Sequence, residues 1–225
     1  MKENKDEEAI RIIIAKIKAA VPKHTFVFTD PFWMLITTVL SQRTKDETTD
    51  AAARALYERY RDIDGLAGAD PDEVGSIIGK VGFWRVKSKK IVEIAGIIRD
   101  RYNHRVPDNL EDLMSLPGVG MKTAKVVLAE GFHRPSIAVD THVFRISHRI
   151  GWSEAKTPEE TTYDLERLIP KYMQVGFNPM MVEFGKAICR PVRPLCDKCP
   201  ITAYCSYYEE KMKKGKKQDH SATGP

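Results

Sequence analysis

The chain has 225 residues, of which 42% are hydrophobic and 30% are charged, and its net charge at pH 7 is +5. This composition is typical of a folded globular protein, and it excludes an intrinsically disordered chain and a membrane-embedded one. The apolar stretch near the start is interrupted by Arg11, Lys16 and Lys18, so it predicts an amphipathic helix of an intracellular protein and neither a membrane span nor a signal peptide.

Helical signals follow one another along the whole chain, and no segment has the alternation that is typical of strands. Thr44, Asp70 and Thr157 each precede a glutamate by three residues, which is the pattern of a capping box at a helix start. Apolar residues then recur at helical spacing, which predicts an all-α fold. The predicted helices span 7–20, 31–40, 45–61, 72–79, 86–102, 109–115, 121–131, 141–150, 158–173 and 178–188. A basic tail over 211–225, with five lysines in the seven residues from 211 to 217, is predicted to be disordered.

The segment 116–124 combines a proline and two glycines between two predicted helices. Pro117 cannot continue the preceding helix, and Gly118 and Gly120 allow a tight turn before a helix that opens near Met121. Backbone amides at the two glycines, next to the positive end of that helix, would suit a phosphate oxygen. Such sequences also form ordinary turns between helices, so the motif alone leaves both interpretations open.

All four cysteines of the chain fall within 17 residues, with six, two and five residues between them. In a protein expected to be intracellular, four thiols this close together indicate metal ligation and not disulfides. The pattern alone is compatible with zinc or with an iron-sulfur cluster. The candidate ligands are Cys189, Cys196, Cys199 and Cys205.

Five ordered segments of the chain resemble the endonuclease III family. The segment 116–127 resembles its helix-hairpin-helix, and 139–145 resembles the segment that carries its catalytic aspartate. The segments 41–46 and 82–85 are also similar to family segments, and the cysteine spacing is similar to the family's cluster loop. The resemblance implies a bifunctional DNA glycosylase and AP lyase of base excision repair. Its partner would be double-stranded DNA containing damaged bases, in particular oxidised pyrimidines, or abasic sites.

The resemblance assigns Lys122 as the amine nucleophile and Asp140 as the group that assists departure of the base. An ammonium cannot attack carbon, and the first turn of a helix, together with burial against an extruded base, opposes its positive charge. Asp140 would stabilise positive charge on the sugar or manage the proton on the lysine. The alternatives are a solvated first-turn lysine and an aspartate that simply caps the predicted helix 141–150; the cap and the catalytic role are compatible.

The resemblance also implies DNA contacts outside the catalytic pair. An enzyme that acts on a stacked base must flip it out and fill the gap. Gln42 would hydrogen-bond to the orphaned base, and Phe83, as an apolar wedge, would press into the opposite base stack unless it belongs to the core. Further DNA-binding residues are assigned to the hairpin and to the first interval between the cysteines. These residues are Gly118, Val119, Gly120, Arg190 and Arg193.

By the same resemblance, the four cysteines would hold a 4Fe-4S cluster that supports a basic loop. We predict two helical domains, one over 25–135 with the hairpin and one over 1–24 plus 136–210 with the cluster, and a monomer that acts in the cytoplasm (nucleoid) if it is prokaryotic. A monofunctional mismatch or adenine glycosylase is the nearest alternative, and it would lack Lys122. A noncatalytic DNA-binding protein is the alternative from another class.

Overall fold

The computed structural model describes residues 6–221, with side chains from 6 to 213. Residues 6–221 form helices and turns without a β-strand, which confirms the predicted all-α fold. The helices are α1 (Glu7–Ala19), α2 (Pro31–Ser41), α3 (Asp46–Tyr60), α4 (Ile63–Ala67), α5 (Pro71–Ile77), α6 (Trp84–Arg101), α7 (Leu110–Ser115), α8 (Met121–Val126), α9 (Thr141–Ile150), α10 (Pro158–Leu168), α11 (Phe177–Ala187) and α12 (Ser206–Ser221). None of the helices in the described part is long and apolar enough to cross a membrane.

The chain divides into two compact units. The hairpin unit comprises Thr25–Ser136, and the cysteine unit comprises Met1–His24 together with Ile137–Pro225. The N-terminal helix α1 therefore belongs with the C-terminal part of the chain. We propose that these two units are the two domains expected from the sequence.

Helix α2 forms the centre of the hairpin unit. Its side chains are buried almost all round, from Phe32 to Ile36 and again at Val39 and Leu40, as expected for a helix that is covered on every side. The Asp30 side chain caps its start by accepting hydrogen bonds from two backbone amides at 3.0 and 3.1 Å. Helix α2 packs against α3, α6 and α8, and this packing fixes the base of the loop that follows it.

The cysteine unit has an apolar core of its own, to which the amphipathic helix α1 contributes. Ile10, Ile13 and Ile17 of α1 are buried, and α1 packs against α11. Helix α9 packs against α11 and α12, and one of its faces is buried. This packing fixes the position at which α9 begins.

Two of the three predicted capping residues are confirmed, and the third is wrong. Asp70 caps α5 and Thr157 caps α10, each followed by a proline at the first helical position. Helix α3 instead begins after Lys45, without a side-chain cap. The Thr44 hydroxyl does not cap it because this group is engaged with the backbone of Gln42 and Gly82.

The C-terminal helices also differ from their predicted extents. The helix predicted over 158–173 ends at Leu168, because Pro170 cannot continue it, and a short 3-10 turn follows at Lys171–Met173. Over the predicted disordered tail the structure has α12, which extends to Ser221; residues 222–225 lie outside the described part. The start of α12 is anchored by Ser206, whose hydroxyl donates to the Ile150 carbonyl at 3.0 Å.

Candidate active site and cysteine loop

The segment predicted to be a hairpin joins α7 to α8 through a tight turn. Gly118 has a φ of 80°, a left-handed conformation that favours glycine. The Val119 amide donates to the Leu116 carbonyl at 3.1 Å, and the Val119 side chain is buried. The amides of Gly118 and Gly120, by contrast, donate to no acceptor in the described part of the chain. Of the three predicted contact positions in the turn, the two glycines are therefore the ones with available donors.

Lys122 is the second residue of α8, and its side chain is exposed. The two residues that follow it, Thr123 and Ala124, are buried, so the first turn of the helix is fixed while the amine faces solvent. After Val126 the helix widens into a π-helical turn at Val127–Gly131.

Gln42 lies directly after α2, and its side chain contacts the hairpin. The side-chain amide donates to the Gly118 carbonyl at 3.0 Å and to the Thr123 hydroxyl at 3.2 Å. These two acceptors flank Lys122 in the sequence. The structure thus brings Gln42 and the hairpin together, although sequence reasoning gave no reason for a contact between them.

Phe83 precedes α6 with a φ of 59°, and 62% of its surface is exposed. The alternative that Phe83 belongs to the core is therefore wrong. The guanidinium of Arg43, the residue after Gln42, lies 5.6 Å from the centre of the Phe83 ring, within the range of a cation–π contact. The loop after α2 and the loop before α6 therefore meet in the hairpin unit.

Asp140 belongs to the cysteine unit, where it caps helix α9. Its Oδ1 atom accepts hydrogen bonds from the amides of His142 at 2.8 Å and Val143 at 2.9 Å. Oδ2 accepts no hydrogen bond from any described residue. The predicted capping role is thus confirmed, and one carboxylate oxygen remains available for other chemistry.

The four cysteines line one pocket of the cysteine unit, and none of them forms a disulfide. Burial raises the pKa of the Cys199 thiol to about 11 and also raises the pKa of Cys205, and the neighbouring thiols add to both shifts. Thiolates, the form that ligates metals, are therefore unfavourable in this pocket unless a positive group offsets their charge. Four cysteines form a donor set that fits a group bound by four thiolates. In the described part of the chain, no three His, Cys, Asp or Glu side chains are arranged around a single metal ion.

Two arginines of α9 hold the loop that carries the cysteines, and sequence reasoning assigned no role to either. Arg145 donates to the Cys189 carbonyl at 2.9 Å. Arg149 donates to the Cys189 sulfur at 3.4 Å and to the Arg190 carbonyl at 2.7 Å. Their spacing of four residues, which puts both on one helix face, is the signal that could have identified them. Arg190 and Arg193, the predicted DNA contacts of the loop, are exposed.

Comparison with known proteins identifies the family. Residues 36–171 match the profile of the HhH-GPD superfamily of base excision DNA repair proteins. Endonuclease III of Thermotoga maritima is 49% identical over 185 residues, which cover 82% of this chain and 87% of the relative.

Solved structures agree with this match. The structure of a trapped covalent intermediate of endonuclease III with DNA is 32% identical in sequence and has a TM-score of 0.82. The aligned region covers 92% of this chain and 99% of the chain in that structure. A thermostable thymine-DNA glycosylase is 25% identical in sequence and has a TM-score of 0.81. The aligned region covers 89% of this chain and 96% of the glycosylase chain. The chain belongs to the endonuclease III family of the HhH-GPD superfamily.

Proposed function

We propose that this DNA glycosylase of base excision repair removes oxidised pyrimidines and cleaves the strand at abasic sites, with Lys122 as its nucleophile. The observation that carries the proposal is the exposed lysine in the first turn of α8, directly after the hairpin turn. A lysine amine at this position can serve as the nucleophile of a Schiff-base reaction.

The reaction uses the amine twice. The Lys122 nitrogen attacks C1′ of the deoxyribose, and the bond from C1′ to the base breaks, so the base leaves with the bonding electrons and takes up a proton. Loss of a proton from nitrogen and opening of the sugar ring give a protonated Schiff base. This cation withdraws electrons from C2′, a C2′ proton is removed, and the 3′ phosphate leaves by β-elimination. The strand is thereby cut without hydrolysis of the phosphodiester.

Asp140 assists departure of the base in this scheme. Because Oδ1 is occupied by the two amides of α9, Oδ2 is the atom that would face positive charge on the sugar or accept a proton from the amine. The capping contacts therefore orient the group for this role.

DNA binding is proposed to use both units. In the hairpin unit, the free amides of Gly118 and Gly120 would bind a phosphate, the exposed Phe83 ring would enter the base stack, and Gln42 would face the orphaned base. Val119 supports the turn from inside. In the cysteine unit, the exposed Arg190 and Arg193 would contact phosphates.

We further propose that the four cysteines hold a 4Fe-4S cluster, as the family resemblance and the chemistry of the four thiols suggest. When bound, the cluster would organise the loop between Cys189 and Cys205 and take no part in the reaction at the sugar. Iron analysis of anaerobically purified protein is expected to give about four irons per chain. Stoichiometric zinc would contradict the proposal.

Because the substrate is DNA, we place the enzyme inside the cell, in the nucleoid if it is prokaryotic. We also propose that it acts as a monomer.

Borohydride reduction of the Schiff base tests the role of Lys122. The wild type is expected to be trapped covalently on a duplex that contains an abasic site, and Lys122→Ala is expected to lose trapping. Lys156→Ala, which removes an exposed lysine of the other unit, is the control that should retain it. Trapping of Lys122→Ala at the wild-type level would remove this residue from its proposed role.

The same DNA distinguishes the alternatives. A monofunctional glycosylase would release the base from a lesion duplex but leave the strand intact until alkali is added. A noncatalytic binding protein would neither release the base nor cut an abasic strand. A thymine-DNA glycosylase superposes almost as well as endonuclease III, so the fold alone does not identify the base that is removed, whereas Lys122 favours the lyase activity.

A further inference from the structure

The Lys87 side chain, near the start of α6, is buried with only 4% of its surface exposed. We propose that Lys87 is a positioning residue that holds together the two loops that carry Gln42 and Phe83. This inference rests on the proposed function, because it gives these loops the task of displacing a base.

Lys87 binds the first loop through three acceptors. Its Nζ atom donates to the Leu40 carbonyl at 2.7 Å, to the Gln42 carbonyl, and to the Thr44 hydroxyl at 3.2 Å. The two carbonyls belong to the end of α2, where helical carbonyls lack partners within the helix. The ammonium therefore terminates α2 and fixes the backbone of the residue proposed to meet the orphaned base.

The Thr44 hydroxyl extends this contact to the second loop. It accepts a hydrogen bond from the Gly82 amide at 3.1 Å, one residue before Phe83, and donates to the Gln42 carbonyl at 3.2 Å. A Cβ atom at Gly82 would lie 2.5 Å from the Arg43 carbonyl oxygen, so the two backbones approach as closely as glycine permits. One ammonium and one hydroxyl thus set the spacing of the two loops.

The donors of Lys87 fit a positioning role. An ammonium has three N–H donors, and all three have acceptors here, but no carboxylate among the described residues pairs with it. Burial lowers the pKa of Lys87 to about 8, because a cation loses its hydration inside a protein. Three directed donors, each with its own acceptor in the first loop, suit a residue that fixes this loop.

The test compares two DNA duplexes of the same sequence. One contains thymine glycol, an oxidised pyrimidine, paired with adenine, and the enzyme must flip this base out. The other contains an abasic site as a single-nucleotide bulge, which leaves no opposing base to replace. The measured quantity is the ratio of the single-turnover nicking rate on the paired lesion to the rate on the bulge.

Lys87→Met, which keeps the side-chain length and removes the donors, is expected to lower this ratio at least about tenfold, since small displacements of positioning groups have large kinetic effects. Lys89→Met removes one exposed charge from the same helix. If that charge binds a phosphate, its removal would weaken both reactions alike, so the ratio should stay within about twofold of wild type.

Thr44 provides a second test if Lys87→Met fails to fold. Thr44→Val removes the hydroxyl and is expected to lower the ratio, whereas Thr44→Ser keeps the hydroxyl and is expected to restore it. If the wild type cleaves both duplexes and the ratio is unchanged in Lys87→Met or in Thr44→Val, the inference about Lys87 is overturned. The proposed function is then unaffected. A wild type that cleaves neither duplex would refute the proposed function, and the inference would fall with it.

Discussion

Substitution of Asp140 separates its helix cap from its proposed catalytic role. Oδ1 accepts two amide hydrogen bonds at 2.8 and 2.9 Å, and Asn offers an equivalent acceptor that is about as good an N-cap. Asp140→Asn loses only the favourable interaction of the negative charge with the helix start, about 0.3–1 kcal/mol. Asp140→Ala loses the cap itself, about 0.5–2 kcal/mol. We therefore expect the Ala variant to be the less stable of the two.

The activities should not follow this order. If the carboxylate assists departure of the base, both variants lose it equally, and the rate of base release should fall about 100-fold to 10,000-fold in each. Urea unfolding gives the free energy of unfolding of the three proteins, and single-turnover release of thymine glycol gives the rate. Base release by Asp140→Asn within about twofold of wild type would refute the catalytic role and leave only the cap.

Three further substitutions test particular contacts. Gly118→Ala should lower the free energy of unfolding by about 1–2 kcal/mol, measured in urea, because its φ is 80°; equal stability would mean that the turn relaxes easily. Phe83→Ala should change that free energy by at most about 0.5 kcal/mol, because the ring is exposed, and yet slow release of a paired lesion. The pKa of Lys87 falls from 10.5 to about 8 on folding, so between these values the unfolded state binds more protons, and the stability of wild type relative to Lys87→Met should rise with pH. A difference that stays constant from pH 7 to 10 would contradict that shift.

The sequence was sufficient to predict a helix cap where the capping side chain bonds to nearby residues of the chain. The caps at Asp70 and Thr157 depend on amides within three residues of each side chain, so a short window of sequence contains the whole interaction. Thr44 has the same local pattern, but its hydroxyl bonds to Gly82, 38 residues away. Only the fold brings that partner within reach, and a capping pattern cannot indicate it.

Lys87 shows a related limit on the site. In the sequence it lies in a cluster with Lys89 and Lys90, which suggests a surface for a polyanion or simple solvated charge. Its position, however, continues the buried stripe of α6, four residues before Ile91 and eleven before Ile98. Helical register therefore indicates that Lys87 points inward, whereas its residue type favours the surface.

The two groups proposed for catalysis occupy similar positions in their own units, each at the start of a helix. Lys122 lies in the first turn of α8, and Asp140 is the N-cap of α9. Oδ1 of Asp140 is held by two amides of its own helix, and Lys122 is followed by the buried residues Thr123 and Ala124, which fix the first turn of α8. Each group is therefore positioned by the local structure of its own unit.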